Sequence, residues 1–267
     1  MTCSEPSAEA TNASAEATRL SVEKSAPSAR VAASSVGPKV ASVEDTTPPS
    51  VGGMAPSVQE VAPVAAPKQV IIFPKPSITE IRHHLFIGNQ YSSYGLPTLG
   101  EYKITAIVSV MDARLTLWLY NTRPFVPEEK HLYIPCADSS TMDMLPFMGR
   151  VCDFIEERIS TDDNPNVLVH CRAGISRSAT IVIAYLMRKY GLSADEALAE
   201  VKAKRRVRPN PNFMDQLRVW WAVGFQIWQD GDKTVPKDEY QAYLDRRAVR
   251  LKDLGLTGDE PIEMQNF

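Results

Sequence analysis

The feature that most constrains this chain is a strand-like run ending in a reactive side chain. Residues 166–170 read Asn-Val-Leu-Val-His, and Cys171 follows directly. Arg177 lies six residues beyond Cys171, just ahead of residues 181–190, which are apolar almost throughout. A short run rich in β-branched residues predicts a strand, and a longer apolar run predicts a buried helix. Strand, tight loop and helix in that order turn backbone N–H groups inward to form an anion-binding cup. The helix N-terminus adds unpaired N–H groups and the positive end of its dipole.

The loop residues Arg172, Ala173, Gly174, Ile175, Ser176 and Arg177 are therefore expected to bind phosphate. Gly174 allows a backbone conformation that a Cβ would disfavour. Arg177 can fork onto two phosphate oxygens. Thiols beside helix N-termini and cations ionise well below ~8.5, which makes Cys171 the expected nucleophile. His170 is expected to fix the loop through hydrogen bonds. Ser178 is placed to donate a hydrogen bond to the sulfur when it leaves. The bland reading, a structural cysteine beside an unrelated loop, does not explain Cys, Gly and Arg at this spacing ahead of a helix.

Further strands are predicted at 78–81, 85–87, 106–111 and 131–136. Apolar spacing predicts helices over 145–159 and 211–228. Ser193 and Glu196 make a capping box that opens another helix, ending near Arg205. Strands alternating with helices predict an α/β fold, a central, mostly parallel sheet flanked by helices. Residues 236–254 read as an accessory helix, packed on the domain or solvated, or else as a partner-binding helix. Residues 1–72 precede the first aromatic, Phe73, and consist largely of small residues and prolines. Such a stretch buries too little to order itself, so a disordered tail is expected. It serves either as a regulatory or docking tail or as a solvated one.

The net charge of −3 gives no global case for nucleic acid as partner. The four cysteines include no CxxC pair, against a disulfide framework or zinc ribbon. No run approaches the ~20 apolar residues of a membrane span, and no signal-peptide core is present. A cytoplasmic and/or nuclear location is expected. His83, His84 and His131 lack metal-ligand spacing, so neither metal nor cofactor is expected. The basic run 202–208 reads as a solvated helix end whose cations complement the dipole. The alternatives are attraction of acidic substrates or nuclear import. Nothing argues for a particular oligomeric state.

His170-Cys171, five residues, then Arg177-Ser178 is the signature of the protein tyrosine phosphatase superfamily, and the fuller loop resembles its dual-specificity branch. Ala184-Tyr185-Leu186-Met187 resembles the helix behind the loop. Residues 205–217 resemble the family's Pro-Asn…Phe…Gln-Leu segment, and 81–89 its opening strands. The resemblance covers residues 78–228. It implies a protein-tyrosine-phosphatase-like catalytic domain over 73–228, with a tail over 1–72 and a partly helical C-terminal extension over 229–267.

The resemblance also implies metal-free hydrolysis of phosphate monoesters in two steps through a phosphocysteine, with a general acid on a separate loop. By position after Tyr133-Ile134-Pro135-Cys136-Ala137, that acid is Asp138, with Asp112 and Asp143 as alternatives. Asn210 is implied as a brace of the phosphate loop, although Asn212 lies two residues away. No Trp-Pro-Asp acid loop or pocket-deepening segment is visible. A shallower pocket, open to phosphotyrosine and to phosphoserine or phosphothreonine in protein substrates, is the expectation. A folded kinase-docking domain cannot fit in residues 1–72, which points to an atypical member. The alternatives are a non-protein phosphoester, such as a phosphoinositide or an RNA 5′ end, and a phosphoprotein-binding scaffold. Arg172 is the one added cation in the loop, which weighs against phosphoinositides. Cys136 is expected to be a small apolar strand end, with redox pairing to Cys171 as the alternative.

Overall fold

The computed structural model describes residues 75–262 except residue 162. The expected tail, residues 1–72, lies outside them. Five strands form one sheet: β1 (Ile78–Arg82), β2 (Leu85–Asn89), β3 (Ala106–Met111), β4 (His131–Pro135) and β5 (Val167–Cys171). Their order is β1-β2-β5-β3-β4. β1 runs antiparallel to β2 and the other neighbours pair in parallel. The mostly parallel sheet expected from the sequence is thus present.

Side-chain alternation sorts the strands into two cores. Leu85, Ile87, Val108, Val110, Val167 and Val169 face the larger one. Phe86, Ile107 and Leu168 face the smaller one, with Leu99 and Ile104. The smaller core lies under α1 (Leu96–Glu101), a short helix that the periodicity did not reveal.

The larger core is covered by α2 (Leu145–Thr161), α3 (Arg177–Tyr190), α4 (Ala194–Lys204) and α5 (Pro211–Ala222). The capping box of Ser193 and Glu196 forms as predicted, each side chain bonding the other residue's backbone N–H. The predicted helix over 211–228 is corrected. It ends at Ala222, because Gly224 and Phe225 both adopt φ of 64° and reverse the chain. Phe225 matched the helical spacing because its ring packs edge-on against Trp220 and Trp221 from the turn. The last helix, α6 (Asp238–Asp253), buries Tyr240, Tyr243 and Leu251, so its apolar stripe faces the domain. Among the described residues no helix is long and apolar enough to cross a membrane.

Parallel strands share one C-terminal edge. Cys171 ends β5, Asp112 follows β3, and Asp138 lies three residues beyond β4. Residues far apart in the chain meet there, as ligand-binding groups do in open α/β sheets.

Candidate active site

The loop from Cys171 to Arg177 is held on several sides. Arg205 Nε donates to the Gly174 carbonyl at 2.9 Å, and its Nη1 donates to Thr79 Oγ1 at 3.0 Å. The Arg208 N–H donates to the Ile175 carbonyl at 2.9 Å, and the Gln90 N–H to the Arg172 carbonyl at 3.3 Å. Gly174 sits at φ +70°, and a Cβ there would lie 2.6 Å from both Gly88 O and Arg205 Nη2. The position therefore requires glycine for its conformation and for the close approach. Arg205 corrects the reading of the 202–208 run: it caps α4 and turns inward as a strut for the loop.

Cys171 is 2% exposed. Its Sγ accepts the Gly174 N–H at 3.2 Å and lies 3.3 Å from Ser178 Oγ. Arg177, also buried, donates from Nη1 to the Cys136 carbonyl at 2.9 Å and stands 3.5 Å from Asp112 Oδ1. Arg177 Nε has no hydrogen-bond acceptor among the described residues; Asp138 Oδ2 is 3.8 Å away. A buried donor of this kind suits a planar or tetrahedral oxyanion.

The three candidate acids separate by environment. Asp138 Oδ1 accepts from Ser176 Oγ and from Asn210 Nδ2, each at 2.8 Å, and the carboxylate lines the cleft over Cys171. Asp112 lies deeper, against Arg177. Asp143 turns away toward α6, accepting from Tyr240 Oη at 2.8 Å, and burial raises its carboxyl above the usual range. Asn210 touches both loops: its N–H donates to Ser176 Oγ at 3.2 Å, and its Oδ1 caps α5. Asn212 instead donates to the carbonyls of Ser139 and Met142. Cys136 is fully buried, its thiol donating to the Ala137 carbonyl, and burial raises it well above the ordinary thiol value.

The cleft measures about 540 Å³. Arg172, Ala173, Ile175, Ser176 and Arg177 line it with Cys171, and Arg208, Asn210 and Pro211 form the facing wall. No aromatic residue lines it among those described. A larger cleft of about 790 Å³ between Phe154, Trp220 and Trp228 has charged walls of both signs and contains no nucleophile or anion cup.

Beneath the loop is a buried relay that sequence reasoning missed. His170 Nε2 lies 2.5 Å from Ser109 Oγ, which lies 2.7 Å from His131 Nε2; His131 Nδ1 lies 3.0 Å from Arg123 Nη1. Arginine only donates, so His131 Nδ1 must accept. Burial lowers both histidines to about 3, which keeps them neutral. His131 therefore carries its proton on Nε2 and donates it to Ser109. Ser109 Oγ also contacts His170 Nε2, and His170 Nδ1 has no hydrogen-bond partner among the described residues. Trp118 packs edge-on against both rings. The available signal was Ser109 itself, a lone hydroxyl in the otherwise apolar strand β3.

The family model described as "Dual specificity phosphatase, catalytic domain" matches residues 85–222. The chain is 34% identical over 151 residues to the tyrosine-protein phosphatase yvh1 of Schizosaccharomyces pombe, covering 56% of this chain and 43% of that one. It is 36% identical over 152 residues to the dual specificity protein phosphatase MPK-4 of Drosophila melanogaster, covering 57% and 38% respectively. The chain thus spans less than half the length of these two relatives. Among solved structures, the Yvh1 phosphatase domain from Chaetomium thermophilum is similar, with 31% identity, TM-score 0.49, and 55% of this chain and 97% of that one covered.

Proposed function

The chain belongs to the dual-specificity phosphatase catalytic-domain family, and on that footing we propose that it hydrolyses phosphotyrosine and phosphoserine or phosphothreonine in proteins through a phosphocysteine at Cys171. The observation that carries this reading is the meeting of Cys171 Sγ, the Arg177 guanidinium and the Asp138 carboxylate at one cleft.

In the first step Sγ attacks phosphorus, and the bond from phosphorus to the substrate oxygen breaks. Asp138 supplies the proton that this oxygen gains. The loop N–H groups and Arg177 stabilise charge on the equatorial oxygens. In the second step water attacks phosphorus and gives a proton to Asp138. The S–P bond breaks, and Ser178 donates a hydrogen bond to the departing thiolate. Each step needs only groups of the chain and water, so the activity is proposed as metal-independent. A cleft without aromatic walls supports acceptance of short phosphoserine and phosphothreonine side chains as well as phosphotyrosine.

The test is Cys171→Ser in the full chain. It is expected to abolish hydrolysis of an aryl phosphate while phosphopeptide binding persists, and wild-type activity is expected to survive a chelator. Near-normal turnover by the variant would overturn the reading.

A further inference from the structure

The stretch that follows Asp138 has no regular secondary structure, and its carbonyls are instead taken one after another by side chains. Asn210 and Asn212 donate to Ser139 O at 3.4 and 3.2 Å. Arg250 Nη1 donates to Ser140 O at 2.7 Å, and Arg247 Nε to Thr141 O at 2.6 Å. Asn212 and Gln216 donate to Met142 O at 2.8 and 2.7 Å. The Tyr243 hydroxyl lies 3.2 Å from Asn212 Oδ1, and the Tyr240 hydroxyl donates to Asp143. Ser139 and Thr141 are buried, where an unpaired backbone carbonyl is costly.

The donors come from two helices of different standing. Asn212 and Gln216 lie on α5, inside the matched span 85–222, with Asn210 as its N-cap. Arg247, Arg250, Tyr240 and Tyr243 lie on α6, beyond its end. The two middle carbonyls of the four, at exposed Ser140 and buried Thr141, thus take their side-chain donors from a helix outside the matched domain. We propose that α6 is a brace for the acid loop, with Arg247 and Arg250 as positioning residues that hold Asp138 over Cys171. The proposal rests on Asp138 as the proton donor. It extends the working catalytic unit through Asp253.

The experiment compares full-chain Arg247→Ala/Arg250→Ala, Arg250→Ala alone and Asp138→Asn on two substrates. Phenyl phosphate has a poor leaving group that needs the proton; nitrophenyl phosphate hardly needs it. A general acid typically contributes ~10²–10⁴ in rate. A loosened acid loop is expected to forfeit about tenfold of that in kcat/KM on phenyl phosphate and less than about threefold in kcat/KM on nitrophenyl phosphate, since kcat/KM reports transfer to Cys171 and not the phosphocysteine hydrolysis common to both. Arg250→Ala, which removes the exposed contact to Ser140 O, is expected to show the same pattern at smaller size. Arg247→Lys/Arg250→Lys, which keeps a donor at each position, is expected to recover part of the loss.

Wild-type kcat/KM on both substrates, or equal loss of it on both, in the double variant would overturn the brace. If the double variant does not fold, Arg250→Ala alone decides, by the same criterion. Leaving-group dependence in Asp138→Asn but not in the arginine variants would sink the brace and leave the acid standing. Equal loss of kcat/KM on both substrates in Asp138→Asn would sink the acid, and the brace with it.

Discussion

Ser176 Oγ donates a hydrogen bond to Asp138 Oδ1 at 2.8 Å, tying the loop that holds the nucleophile to the loop that holds the acid. The same hydroxyl accepts the Asn210 N–H, and Asn210 Nδ2 reaches the same carboxylate oxygen. Three residues from separate segments thus form one closed set of contacts. The position of Asp138 is set by the phosphate loop as much as by its own strand.

This contact predicts that Ser176→Ala harms proton transfer more than phosphate binding. Hydrogen bonds to charged groups contribute ~1.5–3 kcal/mol. Losing part of that in the transition state is expected to lower kcat on phenyl phosphate by about tenfold, the rate equivalent of ~1.4 kcal/mol. KM on phenyl phosphate and kcat/KM on nitrophenyl phosphate should change little. Steady-state kinetics on the two substrates checks this; a rise in KM with kcat unchanged would contradict it.

Ser178 makes a prediction about the second step. Its hydroxyl lies 3.3 Å from Cys171 Sγ, where it can stabilise the departing thiolate. Ser178→Ala is expected to slow breakdown of the phosphoenzyme more than its formation. Rapid-mix kinetics on nitrophenyl phosphate should show a burst of nitrophenolate followed by a slow steady state. A uniform slowing without a burst would place Ser178 elsewhere in the mechanism.

Gly174 tests the loop's geometry. Gly174→Ala would hold an L-residue at φ +70° with its Cβ 2.6 Å from a backbone oxygen. Strain of this kind costs about 1–3 kcal/mol, and relieving it means moving the loop. A lower denaturation midpoint together with a large loss of kcat/KM is expected. Unchanged values for both would contradict the geometry.

The buried histidines set a pH dependence of stability. In the unfolded chain histidine titrates near ~6.5. In the folded chain burial lowers His170 and His131 to about 3. Between those values the unfolded state binds more protons. Their stabilising contribution is therefore present above ~6.5 and is lost as pH falls toward about 3, by up to ~1.4 kcal/mol per pH unit for each group. Denaturant midpoints between pH 7.5 and about 5, above the carboxylate range, should fall as pH falls. His131→Gln should show a shallower slope. A flat profile in the wild type would contradict the neutral relay.

The parts legible in the sequence were those set by local pattern. The strand–loop–helix around Cys171 appeared as predicted, because β-branched run, glycine and apolar helix follow one another in the chain. Asp138 was pointed to only by the family resemblance, and its contacts with Ser176 and Asn210 form only through the fold. Spacing misplaced the end of α5, because Phe225 returns to Trp220 through a left-handed turn instead of another helical turn. The relay through Ser109 joins β3, β4 and β5, and the α6 contacts join residues over a hundred positions apart, such as Arg247 and Thr141. The relay shows in the sequence only as Ser109, a lone hydroxyl in an apolar strand, and the α6 contacts have no local signature. Arg205 was hidden in a basic run that reads as surface charge, where the structure turns it inward.

The central claim is covalent catalysis by Cys171, and it can be observed directly. The full chain is mixed with excess nitrophenyl phosphate, quenched in acid during turnover, digested and examined by mass spectrometry. The account predicts one phosphate on the peptide that contains Cys171, localised to the cysteine, enriched in Ser178→Ala and absent from Cys171→Ser. Phosphate on another residue, or full turnover with no phosphorylated enzyme in either protein, would contradict it.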